Sequence, residues 1–184
     1  MIVLGIDPGF ASMGIAVVKV GPDTERILEL AVLRTEKSAR KLEVRASDDN
    51  VRRAMQLTKG LCRLIDKHNP IAIAIESQSW SRDAGASSKV GMAWGVVAAV
   101  ASWYSLAVVQ ASPQAIKKHL CGRKNASKED VIMEIEERFP DIEWPKPNSL
   151  MEHAADAIGA VLACLDNSAI QMARKLSQQS VNVA

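Results

Sequence analysis

Cysteine pairs, a dominant charge sign and internal repeats are all missing from this chain of 184 residues. Its three cysteines, Cys62, Cys121 and Cys164, form no CxxC pair, which excludes a disulfide framework and a zinc ribbon. A reducing, cytoplasmic setting is the natural expectation. Lys and Arg number 23 against 21 Asp and Glu, so the net charge of +2 speaks only feebly for a polyanionic partner. The opening MIVLGI has no basic stretch before it and runs straight into Asp7-Pro8-Gly9, unlike a secretory signal. Residues 90–116 hold no charged side chain, but Gly91, Gly95, Ser102 and Ser105 interrupt the run. It reads as a buried helix followed by a core strand, not as a membrane span. What is present is a globular composition, 48% hydrophobic and 24% charged. One domain over residues 1–167 is expected, with a tail over 168–184 that is helical or frayed.

Hydrophobic periodicity and turn residues predict the elements. Short apolar runs predict strands over residues 2–6, 14–20 and 26–35, an antiparallel meander broken at Asp7-Pro8-Gly9 and Gly21-Pro22-Asp23. Val51, Met55, Thr58, Cys62 and Ile65 recur at helical spacing and predict an amphipathic helix over 49–68, ended by Asn69-Pro70. Residues 71–75 alternate isoleucine with alanine, which suits a strand covered on both faces. A helix over 87–104 and a strand over 106–110 follow. Ser112-Pro113 and Ser127 are good helix starts, and a last strong helix is expected over 149–165. This order implies an α/β fold whose sheet has mixed strand directions.

Three carboxylates stand in unusual places. Asp7 ends the first apolar strand and Glu76 ends the most buried one, where sites gather in α/β sheets. Asp156 interrupts the apolar AADAIGAVLA, and His153, three residues earlier, shares its helix face. Each has a plain alternative: a simple turn for Asp-Pro-Gly, a solvated strand end for Glu76, an ordinary half-buried histidine, a lysine partner for Asp156. Together, oxygen ligands converging from separate segments favour Mg²⁺ or Mn²⁺. Two such ions about 4 Å apart suit phosphodiester cleavage. Lys117, Lys118, Arg123, Lys124 and Lys128 form a basic block, with no acid from Ser105 through Lys128.

The segments GIDPGFASMGIAVV, IAIAIES and EHAADAIGAVLA, in this order and spacing, resemble the RuvC family of Holliday-junction resolvases. The resemblance extends from Met1 to about Asn167, and includes ASPQAIKKHLCGRKNASKEDV. It implies a ribonuclease-H-like fold, with a five-stranded mixed sheet flanked by helices. It also implies a homodimer that nicks four-way DNA junctions in pairs, using two Mg²⁺ per site with Mn²⁺ able to substitute. Asp7, Glu76, His153 and Asp156 would then be both catalytic residues and metal ligands, Asp7 bridging the ions. His153 stands where many members carry an aspartate, and Glu152, four residues before Asp156, is a second group able to reach that face.

The family often has an aromatic residue three positions after the strand-end glutamate; here Ser79 holds that place and Trp80 follows. Trp80 is expected either to stack on an unpaired base or to pack beneath its loop. Arg82, Lys89, Lys117, Lys118, Arg123, Lys124 and Lys128 are the expected DNA contacts, and Trp94 and Trp103 core or dimer contacts. A branch-migration helicase is a further expected partner; a membrane is not. Two rival readings remain at this level. One is a YqgF-like nuclease acting on structured RNA; the other is a junction- or fork-binding module whose site has weakened.

Overall fold

A computed structural model of the protein describes residues 1–21, 24–39, 45–77 and 83–181, with side chains through residue 175. The sheet strands are β1 (Ile2–Asp7), β2 (Ser12–Val20), β3 (Glu25–Arg34), β4 (Ala72–Glu76) and β5 (Ala107–Ala111). Their spatial order is β3-β2-β1-β4-β5. The first three form the expected antiparallel meander, and β4 and β5 add in parallel beside β1. Helices α1 (Ala46–His68) and α2 (Ala84–Trp103) cover one face. The other face carries α3 (Pro113–Cys121), α4 (Lys128–Arg138), α5 (Met151–Cys164) and α6 (Ser168–Val181).

Side chains alternate across a strand, and this splits the core in two. Val3, Ala16, Val18, Ala72 and Ala74 point toward α5. Leu4, Ile6, Ile15, Val17, Ile73 and Ile75 point toward α1 and α2. The isoleucine–alanine alternation of β4 is thus a packing instruction. Its large side chains fill one layer, and its small ones let α5 approach in the other.

Two expectations about the helical layer are corrected. The buried stripe of α1 is Asp49, Arg53, Leu57, Leu61, Leu64 and Ile65, whereas Val51 and Met55 are 60% and 55% exposed. The helix carries two apolar stripes, and the one with the leucines meets the sheet. Helix α2 is not buried throughout: only Ala93, Val97, Val100 and Ala101 are enclosed, and Trp103 is 84% exposed. Beyond Lys89 its residues are mostly apolar or small on every side, so hydropathy does not mark which flank meets the protein. Among the described residues it is the one helix long and apolar enough to cross a membrane, with a mean hydropathy of 1.2.

Candidate active site

Asp7 closes β1 and Glu76 closes β4, and the parallel register that sets Ile6 beside Ile75 brings the two carboxylates to one sheet edge. By strand parity, Asp7 follows Val3 and Gly5 to the α5 face, and Glu76 follows Ala72 and Ala74 there. Helix α5 carries His153 and Asp156 one turn apart above them. The helix sits this low because the sheet beneath it lacks side chains at two points. A Cβ on Gly14 would lie 2.0 Å from the His153 carbonyl oxygen, and one on Gly5 2.1 Å from that of Ala157.

The His153 imidazole bonds Asp7 directly, with Nδ1 and Oδ2 2.6 Å apart. An ionised carboxylate only accepts, so Nδ1 donates, and this bond holds the His153 pKa above its usual value. Asp156 is pushed up to about 6, first by burial and then by repulsion from Asp7. Glu76 is pushed up to about 8, by burial and then by the charges of Asp156 and Asp7. Lys128 and Lys117 oppose the rise at Glu76, which puts both ammonium groups within electrostatic reach of the cluster.

Among the described residues, no three His, Cys, Asp or Glu side chains already form a cation cage. The hydrogen bond between Asp7 and His153 engages two of the atoms that would ligate. The chemistry of the set nevertheless fits a hard divalent cation. Burial and the neighbouring acids press protons onto Glu76 and Asp156 beside Asp7, and a metal ion would supply the missing positive charge.

The basic block divides. Lys128 donates from its Nζ to Glu152 Oε2, and its charge also reaches Asp156 and Asp7. Arg123 turns away to Asp130, at 2.7 Å. Lys118 and Lys124 are exposed on α3 and the turn after it, and Lys89 is half-buried in the second turn of α2. Trp80 and Arg82 lie outside the described residues.

One supporting residue carries no mark in the sequence motifs. Arg53 is 3% exposed, its Nε donating to Thr35 Oγ1 at 2.9 Å and its guanidinium 4.6 Å from the Phe10 ring centre. Thr35 Oγ1 donates in turn to the Phe10 carbonyl at 2.6 Å. Together they brace the turn that follows Asp7. The spacing Arg53-Leu57-Leu61 carries this signal, since a charge four and eight residues before two core leucines shares their face.

The sheet order β3-β2-β1-β4-β5 with its flanking helices is that of a ribonuclease-H-like protein, and three partly buried carboxylates meet at one edge of it. Comparison with known proteins narrows the class. The family model for crossover junction endodeoxyribonuclease RuvC matches residues 3–164. The RuvC of Natranaerobius thermophilus is 29% identical over 163 residues, covering 88% of this chain and 92% of that protein. The RuvC of Paracoccus denitrificans is 30% identical over 164 residues, covering 89% and 90%. Among solved structures, T. thermophilus RuvC in complex with a Holliday junction substrate superposes with a TM-score of 0.75 at 28% identity, covering 93% of this chain and 96% of that one. The chain belongs to the RuvC family of crossover junction endodeoxyribonucleases. That membership decides against the YqgF-like reading.

Proposed function

We propose that the protein is a structure-selective DNA endonuclease that resolves four-way junctions by paired nicking. Asp7, Glu76, His153 and Asp156 would hold two Mg²⁺ ions, and Mn²⁺ would substitute. The observation that carries the reading is the convergence of three partly buried carboxylates at the ends of β1 and β4 and on α5, inside a chain of this family. The junction-bound T. thermophilus relative supports branched DNA as the substrate.

Bound cations supply charge to the scissile phosphate and make an attacking water more acidic. The chain's own residues do the rest. Glu76, raised to about 8, would release its proton to solvent to serve as a ligand, whereas Asp156, at about 6, is already largely ionised at neutral pH. To ligate, His153 Nδ1 would give up its bond to Asp7 and lose its proton to solvent, leaving a neutral imidazole with a lone pair on Nδ1 and freeing Asp7 Oδ2. Lys128 and Lys117 would neutralise phosphate oxygens at the rim, and Lys89, Lys118 and Lys124 would extend the cationic surface along the arms; Arg82 would join them, and Arg123 would do so only by leaving Asp130. Trp80 would stack at the opened junction centre.

A homodimer follows from the substrate, because two strands related by a two-fold axis must be cut. The surface for it is the groove of about 550 Å³ between α1 and α2, lined by Val51, Ala54, Met92, Gly95, Val96 and Ala99. Covering it would also hide the apolar flank of α2. A DNA substrate puts the protein inside the cell, where a branch-migration helicase would be its working partner. The test is a cleavage panel of four-way junction, flap, fork and linear duplex, with Mg²⁺ and with chelator. Asp7→Asn should abolish cutting and leave junction binding intact. Normal cutting by that variant sinks the metal assignment.

A further inference from the structure

Glu152 has the spacing of an active-site acid, four residues before Asp156, yet its carboxylate goes elsewhere. Oε2 accepts from the ammonium of Lys128 across the gap between α5 and α4. Lys128 is the first residue of α4, fixed in backbone by a capping box in which Ser127 and Asp130 exchange hydrogen bonds. A lysine there faces the positive end of its own helix, which repels it, while Glu152 in the first turn of α5 is favoured by that helix's dipole. Both side chains are about half exposed, 58% and 45%, so the long lysine needs an anchor to keep one direction. The direction matters, because Glu152 directly precedes His153 and stands one turn before Asp156 on α5, so a lysine anchored to it is held beside the acidic cluster.

We propose that Glu152 is a positioning residue: it holds the Lys128 ammonium at the rim of the acidic cluster, facing a non-bridging oxygen of the scissile phosphate. An ammonium has three N–H donors and Glu152 takes one, so two remain for the phosphate. The pair need not break when DNA arrives. Glu152 therefore contributes no metal ligand; it orders the cation that meets the substrate. The inference rests on reading the cluster as a nuclease centre.

The experiment uses the full chain in single-turnover cleavage of a four-way junction, with saturating enzyme and Mg²⁺ varied. Glu152→Gln keeps the shape and removes the charge; it is compared with Lys128→Met and the double variant. Glu152→Gln should slow cleavage by about two- to fivefold, the scale of a partly exposed ion pair, with the Mg²⁺ midpoint unchanged. Added to Lys128→Met, it should cost nothing more. A second readout needs no metal: amine acetylation of Lys128, followed by mass spectrometry, should rise at least about twofold in Glu152→Gln as the ion pair that shields the amine is lost. Full cleavage rate in Glu152→Gln, unchanged Lys128 labelling, a shifted Mg²⁺ midpoint or an equal loss in the Lys128→Met background each overturns the inference. The last two results would make Glu152 part of the metal site. A wild-type protein that cuts no junction overturns the nuclease reading and this inference with it.

Discussion

Replacing Glu76 with glutamine separates what the acidic corner does for cleavage from what it costs the fold. Glu76 is raised from the usual 4.5 to about 8, chiefly by burial and then by Asp156 and Asp7. A carboxyl group with a raised pKa binds its proton more tightly in the folded protein than in the unfolded chain. Stability is then highest below the unfolded pKa and falls as pH rises toward the folded one. At pH 7.5 the unfolded chain has ionised this group and the folded protein largely has not. A shift of this size, shared with two neighbouring acids, destabilises the metal-free protein by on the order of 2–4 kcal/mol.

Glutamine carries no titrating proton and keeps the shape, so Glu76→Gln should recover that energy. For a domain of this length each kcal/mol moves Tm by about 2–4 °C, which gives a gain of about 4–16 °C. The assay is thermal unfolding followed by circular dichroism, in chelator, at pH 7.5 and pH 4.5. The gain should be present at the higher pH and small at the lower, where the folded glutamate is neutral and the unfolded one only half ionised. Adding Mg²⁺ should raise the wild-type Tm far more than that of the variant, and the variant should not cut junctions. Some pH dependence should persist in the variant, because Asp156 is also raised, to about 6. No gain at pH 7.5 refutes the argument from burial and repulsion. An equal gain at both pH values refutes it as well, since shape and not charge would then be responsible.

Two further outcomes follow from packing. Gly14→Ala places a methyl group against the His153 carbonyl, where a Cβ has only 2.0 Å. Helix α5 must lift, at about 1–3 kcal/mol, and displacing His153 and Asp156 should slow cleavage about 100-fold; full activity would mean the helix is not held by that contact. Val51→Glu, at a position 60% exposed beside the α1–α2 groove, should shift the sedimenting species from dimer to monomer and turn paired nicking into single nicks. A dimer that survives the change would place the interface elsewhere.

Spacing along one element is enough to read most of this architecture. Isoleucines alternating with alanines identify β4, the turn residues delimit the meander, and the strand-end positions single out Asp7 and Glu76. Parity then puts both carboxylates on the α5 face, a consequence that needs the sheet order β3-β2-β1-β4-β5 as well as the sequence. Where an element offers two faces of similar hydropathy, spacing alone does not choose between them. Val51 and Met55 stand at helical intervals suited to the core of α1, but Leu57, Leu61 and Leu64 reach the sheet and carry Arg53 in with them. Helix α2 has no polar face at all, so its exposure is a property of its surroundings. The choice between His153 and Glu152 makes the same point within the site. Both stand at intervals that reach Asp156, three and four residues away. His153 turns to Asp7 because β1 passes beneath it, and Glu152 turns to Lys128 because α4 begins beside it. Which of two well-spaced residues enters a site is thus decided by what the neighbouring elements offer each of them.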